Sequence, residues 1–395
     1  MDSKPTPDKA GGATPASKDP FLLTPGLPGP AAPVRQRSPF PWNMVALVTP
    51  IPEPDSVAVI TFDETLWRLQ FTDGKVRSVK LDDDYIERVS AGDMSPLQPA
   101  SPTQLAYLQT RRLVLYDLKW QLAKSWSLAA SLEEVAVRGA WLSQTPPVLV
   151  VELKDTTNFL TEDTLDFRLR TWRLEGDKRV QLGALELGSV VGAVKWDAGA
   201  GLVAVQRPGA ALELYKQDLG KPQPEHPLAL ALRKLTVDGL TVQSLRLHPS
   251  LPMALVALGR EAPPKREAGK ETPEAPGIWR VSWEGAPAVT SRVARYADGE
   301  SVSLGEFSPE NDWLYYRVVD AAHRNPHLYV QQVRAAFNPP LSLGPVPESG
   351  AALLWTGGAT SLVMYDGSKD ALVQWKLPGA APAKPAASPP KSGGK

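Results

Sequence analysis

The strongest constraint in this chain is a repeated four-residue pattern in which Trp or Tyr sits second and an aliphatic residue usually closes it. The copies are Leu66-Trp67-Arg68-Leu69, Leu115-Tyr116-Asp117-Leu118, Thr171-Trp172-Arg173-Leu174 and Leu214-Tyr215-Lys216-Gln217. Ile278-Trp279-Arg280-Val281, Leu328-Tyr329-Val330-Gln331 and Gln374-Trp375-Lys376-Leu377 complete the set. Successive aromatic positions lie 43 to 64 residues apart. A recurring period near 40–50 residues marks an architecture in which each unit is one small sheet that must stack on its neighbours. A second signal keeps step with the first: an aromatic residue or His, a small turn, then an apolar strand. Trp196 precedes Leu202–Val205, His248 precedes Met253–Val256 and Trp355 precedes Ser361–Met364, with further copies at Phe307 and, more loosely, Trp141.

The stretch Ser301–Val333 shows the unit at its clearest. Ser301–Phe307, Trp313–Val319 and His327–Val333 read as strands, separated by segments rich in Pro, Asn, Asp and Ser,. The step Phe307-Ser308-Pro309-Glu310-Asn311-Asp312 into the next strand resembles the junction between the first two strands of a WD40-like propeller blade. Only Leu115-Tyr116-Asp117-Leu118 approaches that family's Trp-Asp ending, and no Gly-His dipeptide opens a repeat. The resemblance therefore implies an architecture and no subfamily. The expected fold is all-β: a seven-bladed β-propeller of four-stranded blades spanning residues 42–378. Its blades start near Trp42, Tyr85, Leu132, Gly188, Thr241, Gly299 and Gly350.

Residues 1–41 carry ten prolines among Ala, Gly, Ser and Thr. Such a segment buries too little apolar area to offset its ordering entropy, so a disordered tail is expected. Its P-x-x-P spacings, Pro25 to Pro28 and Pro30 to Pro33, read as a polyproline-like linker,. Residues 379–395 read as a second disordered Pro/Ala/Lys tail. The seventh blade has three strands before Pro378-Gly379, so its fourth is expected from the N-terminal side. Phe21-Leu22-Leu23-Thr24, an apolar island in the tail, is the candidate.

Composition narrows the function. Lys+Arg and Asp+Glu both number 43, a balance that argues against a dedicated nucleic-acid binder. The absence of cysteine excludes disulfides, thiolate metal sites and a cysteine nucleophile,. The N-terminus shows no secretory apolar region and no apolar run reaches the roughly 18 residues of a membrane helix. A cytoplasmic protein without membrane contact is expected, and the Ala/Leu/Pro-rich composition points to a bacterial source. No nucleophile-elbow, P-loop, dinucleotide or zincin motif occurs,. His323 and His327 share a segment with Asp320 and Asn325, but Pro326 interrupts it, so a solvated loop is expected rather than a metal site. Asp197 and Glu306 fall one residue after and one before the position that His248 occupies in its blade. Alternation along a strand turns both carboxylates away from the histidine, so no catalytic or metal ring and no cofactor is expected.

The insertions are more informative. Lys154–Leu165, Arg260–Pro276 and Asp320–Pro326 each join a second strand to a third, so all three leave from one face of the disc. Long loops on one face of a repeat array mark its binding side. The candidate partner-binding residues are Asp155, Asn158 and Phe159 in blade three, Lys265, Arg266, Lys270 and Glu271 in blade five, and His323 and Arg324 in blade six. The acidic run Asp82, Asp83 and Asp84 between blades one and two joins them. Ser95–Thr103, a Pro-rich loop, belongs to the other face. The expected function is a non-enzymatic protein–protein interaction scaffold or adaptor in a bacterial assembly. The alternatives are a metal-dependent propeller hydrolase or lactonase, and a propeller partner of a MoxR-type ATPase and von Willebrand A-type protein system.

Overall fold

The computed structural model describes residues 34–36, 45–51, 53–61, 65–72, 75–80, 94–97, 104–117, 122–156, 166–188, 194–260, 262, 274–285, 287–308, 312–320, 326–333, 340–346, 351–356, 361–366 and 371–377. Seven antiparallel sheets follow one another in chain order as the blades of a propeller. After β1 (Val34–Gln36), blade one comprises β2 (Val45–Pro50), β3 (Ser56–Thr61), β4 (Leu66–Thr72) and β5 (Lys75–Lys80). Blade two holds β6 (Met94–Leu97), β7 (Gln104–Gln109), β8 (Arg112–Asp117) and β9 (Leu122–Ser127). Blade three holds β10 (Glu134–Gln144), β11 (Pro147–Asp155), β12 (Phe167–Glu175) and β13 (Lys178–Gly188). Blade four has three strands, β14 (Lys195–Gly199), β15 (Leu202–Gln206) and β16 (Glu213–Lys216), followed by helix α1 (Pro227–Leu235). Blade five holds β17 (Thr241–Leu247), β18 (Met253–Gly259), β19 (Gly277–Ser282) and β20 (Val289–Arg295). Blade six holds β21 (Ser301–Phe307), β22 (Trp313–Val319), β23 (His327–Gln332) and β24 (Leu341–Pro345), and blade seven β25 (Ala351–Trp355), β26 (Ser361–Asp366) and β27 (Ala371–Lys376).

The repeated aromatic has one job in every blade. It sits on the third strand opposite the second, as Trp172 does to Leu149, Trp279 to Val256 and Trp375 to Leu362. In each case it packs backwards onto the preceding blade. Trp172 joins Leu113, Leu115 and Trp126 of blade two; Trp279 joins Leu202 and Leu214 of blade four; Trp375 joins Leu328 and Val330 of blade six. Tyr116, Tyr215 and Tyr329 do the same, and half-buried Trp67 meets Val363 of blade seven across the ring closure. Truncating one such buried Trp to Ala costs about 3–5 kcal/mol. Second strands lie mid-sheet with a blade on either face, so β3 and β18 are buried along their whole length. Their apolar runs are continuous rather than alternating, as a strand covered on both faces requires. The second sequence signal is a shared turn: the N–H groups of His248, Ser308 and Thr356 donate to the carbonyls of Met253, Trp313 and Ser361.

Three expectations need correction. Among the described residues blade four has three strands and no fourth. The segment after β16 carries Pro222, Pro224 and Pro227, which cannot donate to a ladder,. Pro227 instead opens α1, His226 caps it by accepting from the Leu228 N–H at 3.2 Å, and Leu228, Ala231 and Leu232 form its buried stripe,. Second, the strand that completes blade seven is β1, with Val34 opposite Gln374 and Gln36 opposite Leu372. Phe21–Thr24 lies outside the described residues. Third, Ser95–Thr103 begins in strand: Met94–Leu97 is the first strand of blade two. Pro96 is tolerated there because a first strand has a free edge.

If β1 closes the ring, removing residues 1–30 should leave the melting temperature unchanged, whereas removing 1–37 should lower it. Each ladder hydrogen bond lost is worth about 0.5–1.5 kcal/mol. Thermal unfolding of the two truncations is the check, and equal melting temperatures would exclude a closing role.

Candidate functional site

The first strands of blades three to six line a channel wall, and each presents a sheet edge with no further strand beside it. Side chains from neighbouring blades supply the partners that edge lacks. Asp197 on β14 accepts from the Leu247 N–H at 2.6 Å and pairs with the Arg246 guanidinium at 3.0 Å. Arg246 on β17 in turn donates to the Gly305 carbonyl at 2.8 Å. Gln243 accepts from the Val302 N–H at 2.9 Å and donates to the Glu300 carbonyl at 3.1 Å, and Ser244 accepts from the Leu304 N–H at 3.1 Å. Lys195 reaches the Gln243 carbonyl at 3.0 Å. Glu152 holds both Arg138 and the Trp196 indole N–H at 2.6 Å, while the Arg138 guanidinium lies 4.4 Å from the Trp196 ring centroid.

Ion pairing sets the donor chemistry of this wall. Burial pushes the Asp197 carboxyl up, and Glu306 adds to the rise, while Arg246 and the Leu247 N–H pull it down. Burial would lower Arg246, but the charges of Asp197 and Glu306 outweigh it and hold the guanidinium protonated. Arg246 is thus the cation paired with Asp197, with the charge of Glu306 nearby. His248 is fully buried, accepts at Nδ1 from the Ser250 and Leu251 N–H groups, and packs on Phe307. It organises its turn. Among the described residues, no three His, Asp or Glu side chains are grouped to hold a metal.

A cleft of about 820 Å³ opens over this wall, lined by Arg138, Lys195, Gln206, Leu212, Gln243 and Ser303 among others. It lies at the starts of β10, β14, β17 and β21, which is the face where second strands pass to third strands. A smaller cavity of about 250 Å³, reaching Glu306, Pro249 and Trp141, lies deeper towards the opposite face.

The three long second-to-third-strand connections do leave from this face, after β11, β18 and β22. Of the sequence-selected residues, Asp155 is described: it ends β11, half-buried, with Arg168 at 3.5 Å. Asn158, Phe159, Lys265, Arg266, Lys270, Glu271, His323, Arg324, Asp82, Asp83 and Asp84 lie outside the described residues. The roots of the blade-five insertion are pinned. Arg260, 7% exposed, donates to Asp298 at 2.6 Å and to the Asp238 carbonyl at 3.2 Å. The Glu274 N–H donates to the Asp238 carboxylate at 3.2 Å, and Glu274 pairs with Arg292.

Blade three rises above its neighbour. Arg138, the fifth residue of β10, stacks on Trp196, the second residue of β14. Counted from that contact, β10 begins three residues before β14, one of them the bulged Val137. Glu134 braces this crest, accepting from Arg170 at 2.7 and 2.5 Å, from Arg168 at 3.3 Å and from the Ala130 N–H at 2.6 Å.

No protein-family model matches the chain, and no curated protein matches it in sequence. Its shape is similar to solved propellers. An oligogalacturonate lyase in complex with manganese aligns with a TM-score of 0.54 at 11% identity, over 91% of this chain and 99% of that one. The β-propeller domain of Cps50 (Swd1) from Myceliophteria thermophila aligns with a TM-score of 0.47 at 12% identity, over 87% and 99%. The WD40 domain of SCAP from fission yeast gives 0.42 at 9% identity, over 88% and 90%. Identities this low speak to the fold alone.

The sequence reading missed Arg138, Lys195, Gln243 and Arg246. Charged and amide residues inside an otherwise apolar first strand were the available signal.

Burial alone pushes the Glu134 carboxyl up, but Arg170, the Ala130 N–H and Arg168 outweigh it and hold it below the usual carboxylate range. A depressed folded value stabilises above the unfolded pKa of about 4.3 and is lost as pH falls through the folded value. Wild-type melting temperature should therefore fall more steeply than that of Glu134→Gln below about pH 4.5. At pH 7 the variant should be less stable by about 1–3 kcal/mol, because Arg170 is left buried beside a neutral partner. Thermal melts from pH 3 to 7 check both, and parallel curves would rule the network out as a stabilising device.

Proposed function

We propose that the chain is a non-enzymatic protein–protein interaction scaffold or adaptor that works in the cytoplasm of a bacterium. The observation that carries this reading is topological: the insertions of blades three, five and six and the cleft of about 820 Å³ open on the same face. Partners bind there, and the candidate contacts are Asp155, Asn158, Phe159, Lys265, Arg266, Lys270, Glu271, His323 and Arg324, with the acidic run Asp82–Asp84 in the connection between blades one and two. The insertion of blade five is charged and nearly free of apolar anchors. Such a loop steers association and sets specificity rather than supplying a hot spot.

A metal-dependent hydrolase or lactonase has less support. The manganese-bound neighbour shares the fold at 11% identity, whereas here Arg246 pairs with the channel carboxylate Asp197 at 3.0 Å. A partnership with a MoxR-type ATPase and a von Willebrand A-type protein is one form the scaffold role can take.

The test shortens the blade-five insertion while keeping its clamps. Replacing residues 262–273 by a short Gly/Ser link spares Arg260 and Glu274, and should leave the melting temperature nearly unchanged because loop closure does not become costlier. Capture of cross-linked protein partners by the full chain should fall and lose much of its salt dependence. Identical capture at low and moderate salt would exclude this loop, and stoichiometric calcium, zinc or manganese in the purified protein would sink the non-enzymatic reading.

A further inference from the structure

Blade four differs from its neighbours in two ways that act together. It has no fourth strand, and its strands of four and five residues stand beside strands of nine to eleven in blade three. On the other side, the turn at Asp238 is clamped to the roots of the blade-five insertion. Blade four is therefore a trough on the insertion face. A second cavity, of about 560 Å³, occupies its outer half between the β15–β16 turn and α1. Gln206, Leu212, Thr241 and Val242 line both this cavity and the channel cleft, so the two are one groove running from the rim of the disc to the channel mouth. Separately each matches a small-molecule pocket of about 300–1,000 Å³; joined, they suit an extended chain.

The two ends differ in chemistry. The outer half is walled by Leu212, Leu214, Ala229 and Leu232 together with Glu213, Gln223 and Arg233, and Glu213 is paired with Arg207. The inner end presents cations. The carboxylates there are turned inward to strand edges and indole: Glu152 is 12% exposed against 46% for its partner Arg138, and Asp197 12% against 30% for Arg246. Lys195 stands exposed beside them. What a ligand meets is a trough with one aliphatic wall, leading to a mouth where the exposed charges are cations.

We infer that the groove over blade four docks an extended protein segment that places aliphatic side chains against Leu212 and α1 and acidic side chains at Lys195 and Arg138. This rests on the interaction-scaffold reading and names its surface and the chemistry of its partner. It does not depend on the blade-five insertion itself. Lys195 has two donors beyond the one directed at the Gln243 carbonyl, enough to meet a carboxylate,.

The probe is a library of random displayed peptides of about twelve residues, which span roughly 40 Å when extended. The library is selected on the full chain. Enriched peptides are then titrated by fluorescence anisotropy against the wild type, Lys195→Glu, Leu212→Asp and Val289→Asp, the last an exposed rim position in blade five. Melting curves of all four proteins show that each is folded. Enriched sequences should combine aliphatic residues with an acidic end, and affinity should fall by about tenfold or more in the first two variants and stay level in the third. Basic or charge-free consensus sequences, equal binding to all four proteins, or no enrichment would each overturn the groove. So would an oligonucleotide that binds through Lys195 where no peptide does. Any of these results leaves the scaffold reading to the loop-shortening experiment, which fails or succeeds independently.

Discussion

A closed ring of sheets leaves one edge of every blade facing its axis, and the backbone groups on that edge must find partners. In blades five and six the partners are side chains from the preceding blade: Asp197 for the Leu247 N–H, Gln243 and Ser244 for the Val302 and Leu304 N–H groups, Arg246 for the Gly305 carbonyl. The polar channel of this protein is thus first a structural device. It ties neighbouring first strands together where apolar packing cannot. Two carboxylates of the channel are committed within it, Glu152 to a guanidinium and an indole and Asp197 to a guanidinium and a peptide N–H.

Outside that polar ring, stability comes from face-to-face packing. Each third-strand aromatic reaches back into the preceding blade, so no blade buries its own aromatic alone. Closure follows the same rule. Val363 of blade seven lies in the cluster formed by Val57, Val59, Leu69 and Phe71 of blade one. Ser361 adds a polar stitch, donating to Asp55 at 3.3 Å and accepting from Gln374 at 3.0 Å. The short strand β1 then ties the N-terminal side of the chain to β27. The last blade is held from both directions.

The parts legible in the sequence were those whose cause is local. The Trp or Tyr of each third strand and the turns at His248, Ser308 and Thr356 are written in contiguous residues, and they gave the blade count; five expected starts fall within three residues of a first strand, whereas Tyr85 precedes β6 by nine and Gly188 precedes β14 by seven. The insertion joints were legible because strand ends are. The rest depends on contacts between distant residues. Asp197 and Arg246 meet because two first strands lie side by side, and no spacing rule announces that. Helix α1 was hidden because one apolar stripe of Leu228, Ala231 and Leu232 after a run of prolines is too short to declare a period. The closing strand was misplaced because Phe21-Leu22-Leu23 looks more apolar than Val34-Arg35-Gln36. Pairing at an edge, however, needs backbone and register more than hydrophobicity.

Why blade four can do without its fourth strand follows from where fourth strands lie. They form the rim, and β9 and β13 are largely exposed. Losing one removes few of the contacts that hold blades together. The interface between blades four and five keeps its core because Leu228, Ala231 and Leu232 of α1 join Leu202, Ala204 and Leu214 against Leu258, Trp279 and Val281. A first or second strand has no such substitute: one carries the polar edge network and the other is buried on both faces. The rim is therefore where this fold can be opened at small cost, and α1 marks the place where it has been. A groove made in this way inherits a rigid floor from β15 and β17 and walls from elements clamped at Asp238 and braced at Glu134. That combination lets a surface of modest area be selective, because little of the binding free energy is spent on ordering the site.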